Sequence, residues 1–411
     1  MSLALNAQPD ATDKLITEAG LRRSSNQQHL DWNKDHVQYP RNWPTSRKAF
    51  ETTVIVFLEC YTYQLGQAIG GMLIPPFLIV GLVPSIGGVF VGRFIGGFSS
   101  AVPSVVLAGS IEDLYARKER VWMILLWNSF TTLGLVIGPI YGSYISHAIG
   151  WRWIYYTSAI VTASLMVPLL AIRETRPTKL LSQKLNEIQK RAGDNELETR
   201  HNPDKISGAR EFVELVLLRP IRLALTEPIV IMVSILNATA WGLIYLFTES
   251  LTVVYSQYGW SETTTSLAFL AIGIGVPFSA LVRLWDLHII ARKIQSEEAV
   301  EPEDKIIGFA IAAPTLAAGL WLFSWTIPPL VYAPWVVSMF GLMLIGFAAN
   351  EFAYTLNGYL ADSYTLYASS SLATLAFLRA LVSGVMPLFA YQMFSGLGSN
   401  IAGSILAVVA T

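Results

Sequence analysis

The sequence predicts an all-α polytopic membrane protein, and three observations predict it. Of 411 residues, 53% are hydrophobic and only 14% charged, against about 25% charge in a soluble globular chain. Apolar, nearly charge-free runs of about 20 residues recur along the chain, enough for one helical crossing and far too long for barrel strands. Loops rich in Lys and Arg alternate with loops that have none, as helices threading a bilayer require. Helices also keep every backbone amide satisfied in hydrocarbon.

The candidate segments lie at 50–79, 85–111, 121–146, 153–172, 229–248, 263–282, 306–327, 332–360, 369–392 and 397–411. The last has 15 residues, too few to span hydrocarbon at about 1.5 Å per residue. The reading is therefore about ten segments: nine crossings and one stub. The first two are crowded. No charge separates Glu59 from Arg93, a stretch of 33 residues, more than one crossing needs and too few for two comfortable ones. It reads as the end of one crossing, an outward turn near Gly81–Ser85, and the start of the next. In the third segment, "GLVIGPIYGS" sets Gly134, Gly138 and Gly142 at i, i+4, i+8 on one helix face. Such a stripe admits another backbone closely, and Pro139 removes a donor and kinks the helix. On spacing alone this is equally a packing seam of any membrane bundle.

Orientation follows from the loops. The first 49 residues are polar, carry no secretory signal and read as a mobile cytosolic tail. "EDLYARKER" and the group Arg283, Arg292, Lys293 and Lys305 mark basic, cytosolic loops. The stretch 173–228 carries eleven Lys and Arg and divides the chain into an N-terminal bundle (50–172) and a C-terminal bundle (229–411). Within it, "KLLSQKLNEIQKRAGDNELE" fits either an amphipathic helix on the membrane surface or a solvated linker. Two bundles joined by a basic loop suit a secondary transporter.

Several chemistries are excluded. One cysteine, Cys60, rules out an intramolecular disulfide and a cysteine-based metal site. There is no GxxxxGK[ST], HExxH or GxSxG. The five histidines are scattered through tails and loops. A net charge of −1 suggests no nucleic-acid partner. The chain reads as a non-enzyme with no metal and no cofactor, drawing energy from an ion gradient, with a small-molecule substrate and the lipid bilayer as partners, acting as a monomer.

Polar residues at membrane depth are the site candidates. Arg93 lies about eight residues into a crossing, where a charge costs roughly 2.5–3.5 kcal/mol. It either faces a water-filled path or snorkels to the outer headgroups. Glu249 sits near a helix end, where interfacial solvation explains it. Glu351 lies deep in its segment and either takes up a proton or pairs with Arg379 structurally. Asn237, Trp241, Tyr245, Asn350, Asn357, Gln392 and Arg379 either bind substrate or bond a neighbouring helix. The clusters "WLFSW" and "VYAPW" read as interfacial anchors.

Taken together, the motifs resemble the major facilitator superfamily, and within it the fungal drug:proton antiporters with twelve helices. "GLVIGPIYG" is similar to the antiporter motif of the fifth helix (Gly134, Gly138, Pro139, Gly142). "GRFIGGFSSAVPSVVLAGSIEDLYARKER" resembles the fourth helix and its following loop. "PRNWPTSRK", "GWRWIYY", "RETRP", "EPIVIMVSILNATAWGLIYLFTES", "YGWSETTTSLAFLAIGIG" and "YLADSYTLYASSSLATLAFLRAL" resemble further parts. The likeness covers most of residues 40–411. It implies a two-bundle fold, proton antiport with Arg93 in proton coupling, and residence in the plasma membrane with a cytosolic N-terminus.

The sequence departs from that pattern. The basic loop between helices two and three has no counterpart, and pieces of two helices join near Phe77–Leu78. Two internal segments are thus expected to be missing, and the C-terminus stops inside helix twelve. The leading expectation is a proton-driven exporter of drugs or secondary metabolites. The alternatives are a polyamine or nutrient carrier of the same fold, and a truncated, transport-defective membrane protein.

Overall fold

Each apolar run predicted to cross is helical where the structure describes it. This is a computed structural model; it describes residues 9–23, 29–33, 35–65, 74–83, 85–192, 198–199, 208–296, 301–331, 333–364 and 367–411. The helices are α1 (Pro9–Glu18), α2 (Thr45–Leu65), α3 (Ile74–Leu82), α4 (Ile86–Leu114), α5 (Arg117–Ile149), α6 (Arg152–Leu169), α7 (Pro177–Ala192), α8 (Ala209–Phe212), α9 (Arg219–Thr226), α10 (Pro228–Ser256), α11 (Glu262–Ser266), α12 (Phe269–Gly275), α13 (Ser279–Gln295), α14 (Ile307–Thr326), α15 (Trp335–Ser363), α16 (Ala368–Leu397) and α17 (Ser399–Ala410). Among the described residues, six spans are long and apolar enough to cross a membrane: 119–149, 228–256, 262–293, 307–326, 335–363 and 368–397. The chain is a multi-pass, all-α membrane protein, and α17 is the short terminal helix expected.

Local chemistry sets the breaks between helices. Ser85 caps α4 by accepting from the Gly88 amide at 3.2 Å, and Ser261 caps α11 through the Thr264 amide at 3.2 Å. Such caps satisfy donors that a helix start leaves free. Gly150 (φ +95°) separates α5 from α6, and Gly398 (φ +85°) separates α16 from α17. Both conformations favour glycine because a side chain would clash. The predicted single crossing 50–79 is described as two helices, α2 and α3. Residues 66–73, at the centre of that apolar stretch, lie outside the described residues. Helix α3 runs unbroken through Phe77–Leu78 and ends at Leu82, and α4 starts at Ile86, so the helices part at the place where a turn is expected.

Packing is densest after residue 228. There α10 lies on α16, α14 on α15 and α17, and α12 on α15. One core unites them, with Phe247 and Phe323 edge to face at 5.4 Å. At Gly275 and Gly346, the backbones of α12 and α15 come so close that neither position has room for a Cβ. Before residue 173, Leu135 and Val136 of α5 join that core, and other buried apolar residues fall into smaller clusters. One joins Ile55 and Val56 to Leu107, Ile111 and Leu114; another is Val80, Tyr155 and Ala159. The two halves meet where α5 packs on α11, α12, α13 and α15.

The expected mobile tail is corrected. Among its described residues are α1 and the strands β1 (Leu21–Arg23) and β2 (His29–Trp32). They fold against α7 and a third strand, β3 (Glu198–Thr199), in a sheet of order β1-β2-β3. The helix predicted in the linker forms as α7, but its apolar face is covered by the tail rather than by lipid or solvent. The tail carries enough apolar residues, Ile16, Leu21, Leu30 and Trp32, to make that core.

Candidate functional site

Two polar constellations stand in the second half, and the first is charged. On α13, Arg283 is fully buried and is bonded by one guanidinium nitrogen to Asp286, a turn further along. The other nitrogen is bonded to Glu351 of α15, also fully buried. The Arg283 guanidinium lies 3.8 Å from the centre of the Tyr354 ring, a distance at which the ring face attracts a cation. Gly308 of α14 completes the enclosure. A Cβ there would stand 2.7 Å from Glu351 Oε2 and 2.8 Å from an Arg283 nitrogen. Glu351 Oε1 and Arg283 Nε have no hydrogen-bond partner among the described residues. One guanidinium faces two carboxylates, so the group carries −1 with both ionised and zero with one proton bound. In a low-dielectric interior that difference is large.

These contacts correct two expectations. Glu351 pairs with Arg283 rather than Arg379. Arg283 is a buried residue of a membrane-spanning helix rather than a marker of the basic loop. The signal was present in the sequence. Arg283 stands nine positions ahead of Arg292, with Asp286 one turn away on the same helix face, and an isolated i, i+3 pair of opposite charge is the pattern that permits burial. His147 and His288 likewise lie on helices, α5 and α13, not in loops.

Beside the charged group a polar ladder joins the two halves. Thr132 of α5 donates to Asn350 Oδ1 at 3.2 Å, and Asn350 Nδ2 donates to Ser279 Oγ at 3.0 Å. Asn350 is fully buried. With both ends of its amide engaged, it acts as a clamp between helices rather than a free cavity group. Sequence reasoning missed Thr132 and Ser279, since lone hydroxyls in apolar runs carry no distinguishing pattern.

The second constellation lies between α10 and α16. Asn237 is fully buried, and neither of its amide atoms has a hydrogen-bond partner among the described residues. One turn on, Trp241 is nearly as buried, and the Arg379 guanidinium lies 5.0 Å from the centre of its ring. Gly242 lets α16 approach; a Cβ there would stand 2.7 Å from Val382 Cγ1. An unbonded buried amide costs roughly 1–3 kcal/mol, so this spot is stabilised by whatever ligand atom satisfies it. The structure brings Asn237, Trp241 and Arg379 onto one helix pair. Tyr245 and Asn357 are half-buried, on α10 and α15, and Gln392 is exposed on α16.

The first-half candidates lie apart from these. Arg93 is exposed on α4, bonded to the Tyr155 hydroxyl of α6, with its guanidinium 5.3 Å from the Tyr155 ring centre. In the second half, Glu249 is exposed on α10, two turns beyond Trp241. In the glycine stripe of α5, Gly134 is buried, Gly138 half-buried and Pro139 lies inside the helix. A Cβ at Gly142 would meet only Ile154, at 3.9 Å. The close approach to this helix uses a glycine of the partner instead: a Cβ at Gly273 of α12 would stand 3.2 Å from Val136 Cγ1.

The family model described as Major Facilitator Superfamily matches residues 63–387. The chain belongs to the Major Facilitator Superfamily. Among curated members, it is 31% identical over 323 residues to "Efflux pump radE" of Floropilus chiversii, covering 77% of this chain and 59% of that protein. It is 28% identical to "Multidrug transporter TPO1_2" of Candida glabrata, covering 78% and 56%. To "Cercosporin MFS transporter CTB4" of Cercospora nicotianae it is 29% identical, covering 77% and 62%. The chain thus spans about three fifths of the length of the curated superfamily members it matches. Among solved structures, the human organic anion transporter MFSD10 (TETRAN) superposes with a TM-score of 0.57 at 16% identity, covering 98% of this chain and 87% of that one. A transporter of the POT family gives 0.53. At such identities the likeness is one of fold, and it agrees with the superfamily assignment.

Proposed function

We propose that this superfamily member is a secondary active transporter that exports small amphipathic organic molecules, drugs or secondary metabolites, by proton antiport and alternating access. The observation that carries the reading is the buried Arg283–Glu351–Asp286 group. A single proton balances its charge, and it joins α13 to α15 where α5 of the other half packs on both. Proton uptake by the carboxylate pair loosens one of the two ion pairs. That changes how α13 and α15 are held together and so couples proton binding to helix movement. Asn237, Trp241 and Arg379 supply an amide, an aromatic face and a cation for an amphipathic ligand. The names of the relatives support export of such molecules. The two halves, 50–172 and 229–411, act as the rocking bundles, with the N-terminus cytosolic, in the plasma membrane, as a monomer that needs no cofactor.

The test is uptake of a fluorescent amphipathic drug into inverted vesicles bearing this chain, with and without a proton gradient. Gradient-dependent uptake that Glu351→Gln abolishes is expected. Uptake that survives both Glu351→Gln and collapse of the gradient overturns the coupling. Arg93→Ala tests the role that the resemblance implies; unchanged transport removes Arg93 from the coupling.

A second reading, a transport-defective membrane protein, is favoured by one observation. Helix α4 turns Ile86, Phe90 and Phe94 outward, each more than 70% exposed, beside the unbroken run through Phe77–Leu78. Robust gradient-driven uptake by the 411-residue chain rules that reading out.

A further inference from the structure

Helix α7 spaces Leu181, Leu185 and Ile188 along one face, and all three are buried against Ile16, Leu21, Leu30 and Trp32 of the tail. The polar contacts are specific. Trp32 Nε1 donates to the Pro177 carbonyl at 2.8 Å. Lys184 donates to the Ala19 carbonyl at 2.5 Å and to the Gln38 side chain, and its ammonium lies 5.1 Å from the Trp32 ring centre. Burial holds that ammonium below its usual pKa range. Strand β2 pairs in parallel with β3, His29 beside Glu198 and Leu30 beside Thr199. The other end of the linker is fastened to the second half. The Thr374 hydroxyl of α16 donates to the Pro220 carbonyl of α9 at 2.8 Å, and Arg219 lies 5.2 Å from the Tyr367 ring centre.

We infer that residues 9–23 and 29–32 are a docking partner in cis for α7: a clasp that takes its apolar face away from the membrane and fixes the first part of the linker to the tail. Released from the tail, α7 presents Leu181, Leu185 and Ile188 together with Lys179, Lys184, Lys190 and Arg191. That is the pattern of a helix that lies on an anionic membrane surface. Two resting places therefore compete for one apolar face, and the tail decides between them. The inference stands independently of the transport reading.

The experiment is amide hydrogen exchange on the full chain in nanodiscs, of phosphatidylcholine alone or with phosphatidylserine. In the wild-type chain, amides of 178–190 and 29–32 are protected in both lipids. Leu30→Asp puts a charge in the small core. It speeds exchange of both segments about tenfold or more in phosphatidylcholine, while phosphatidylserine restores protection to α7 alone. Trp32→Phe removes the indole donor and part of the buried ring and accelerates both segments about fivefold or more, at least the equivalent of one hydrogen bond. Unchanged exchange in α14 and α15 reports an intact membrane core. If either variant speeds the tail without α7, the two segments are not one unit and the inference is wrong. If phosphatidylserine restores nothing, the competing membrane site is wrong.

Discussion

Phe247 and Phe323 meet inside a core built mainly of residues from Val230 to Ala407, joined by Leu135 and Val136 of α5, whereas Phe90 and Phe94 of α4 face outward from the first half. Both pairs sit in apolar helices of similar composition. The difference is in neighbours. In the second half α10, α12, α14 and α15 pack into one core, where glycines at 275, 319, 341 and 346 bring backbones into contact, while α16 turns Phe377 and Leu388 outward. In the first half α3 has nine residues, and α4 packs mainly on α2 and α3. Composition makes a helix apolar; only the presence of partners makes it buried. The polar groups follow the same division, since a fully buried ion pair such as Arg283–Glu351 survives only where packing excludes water and fixes geometry.

The largest expected effect breaks the second half at its charged group. Arg283→Ala leaves two buried carboxylates without their shared cation and should cost about 3–5 kcal/mol of stability, read from denaturant unfolding in detergent micelles. An effect below 1 kcal/mol would show that water reaches the group. Next, Gly346→Val inserts side-chain atoms against the α12 backbone and should destabilise by about 1–3 kcal/mol, whereas Gly109→Ala on α4, where a Cβ meets nothing within 4 Å, should be neutral or slightly stabilising.

A third prediction concerns pH in the first half. Asp113, just beyond the predicted crossing that ends at 111, has its carboxyl pushed up to about 6 by burial, against the pull of Arg176 and Arg41 and with Glu112 and Glu174 adding to the rise. The folded chain thus holds this proton more tightly than the unfolded chain. The resulting stability is full below about pH 4 and is lost as the pH rises through 6. Asp113→Asn should flatten that dependence in thermal unfolding; an unchanged profile would point to other groups. The smallest effect is Phe94→Ala, within about 0.5 kcal/mol because the ring is already exposed. A larger loss would mean that α4 is covered in the membrane by a partner helix.

Much of this was legible in the sequence. Charge-free length pointed to the six spans that are long and apolar enough to cross among the described residues, and "GLVIGPIYG" with its flanking motifs pointed to the superfamily. Glu351 stood out because an acid at that depth needs a reason. Its partner is easily misread, because Arg283 lies 68 positions away, near a run of basic residues, and only Asp286 one turn on marks it as half of a buried pair. The fold of the tail was hidden for a similar reason. Ile16, Leu21, Leu30 and Trp32 are too sparse to signal a core until α7, about 150 residues later, supplies the other wall. The state of Asn237 is invisible to any pattern, since a bonded and an unbonded amide are the same letter.

The ladder from Thr132 through Asn350 to Ser279 has a kinetic meaning. Of the two hydrogen bonds that converge on this amide, the one from Thr132 crosses the seam between the halves and the one to Ser279 holds Asn350 to α13 within the second half, so sliding the seam breaks the first while the second keeps the amide in place. Such a contact weighs on the barrier more than on either end state, and it acts as a friction point. Asn350→Ala should therefore quicken interconversion between conformers even where it leaves their populations nearly equal.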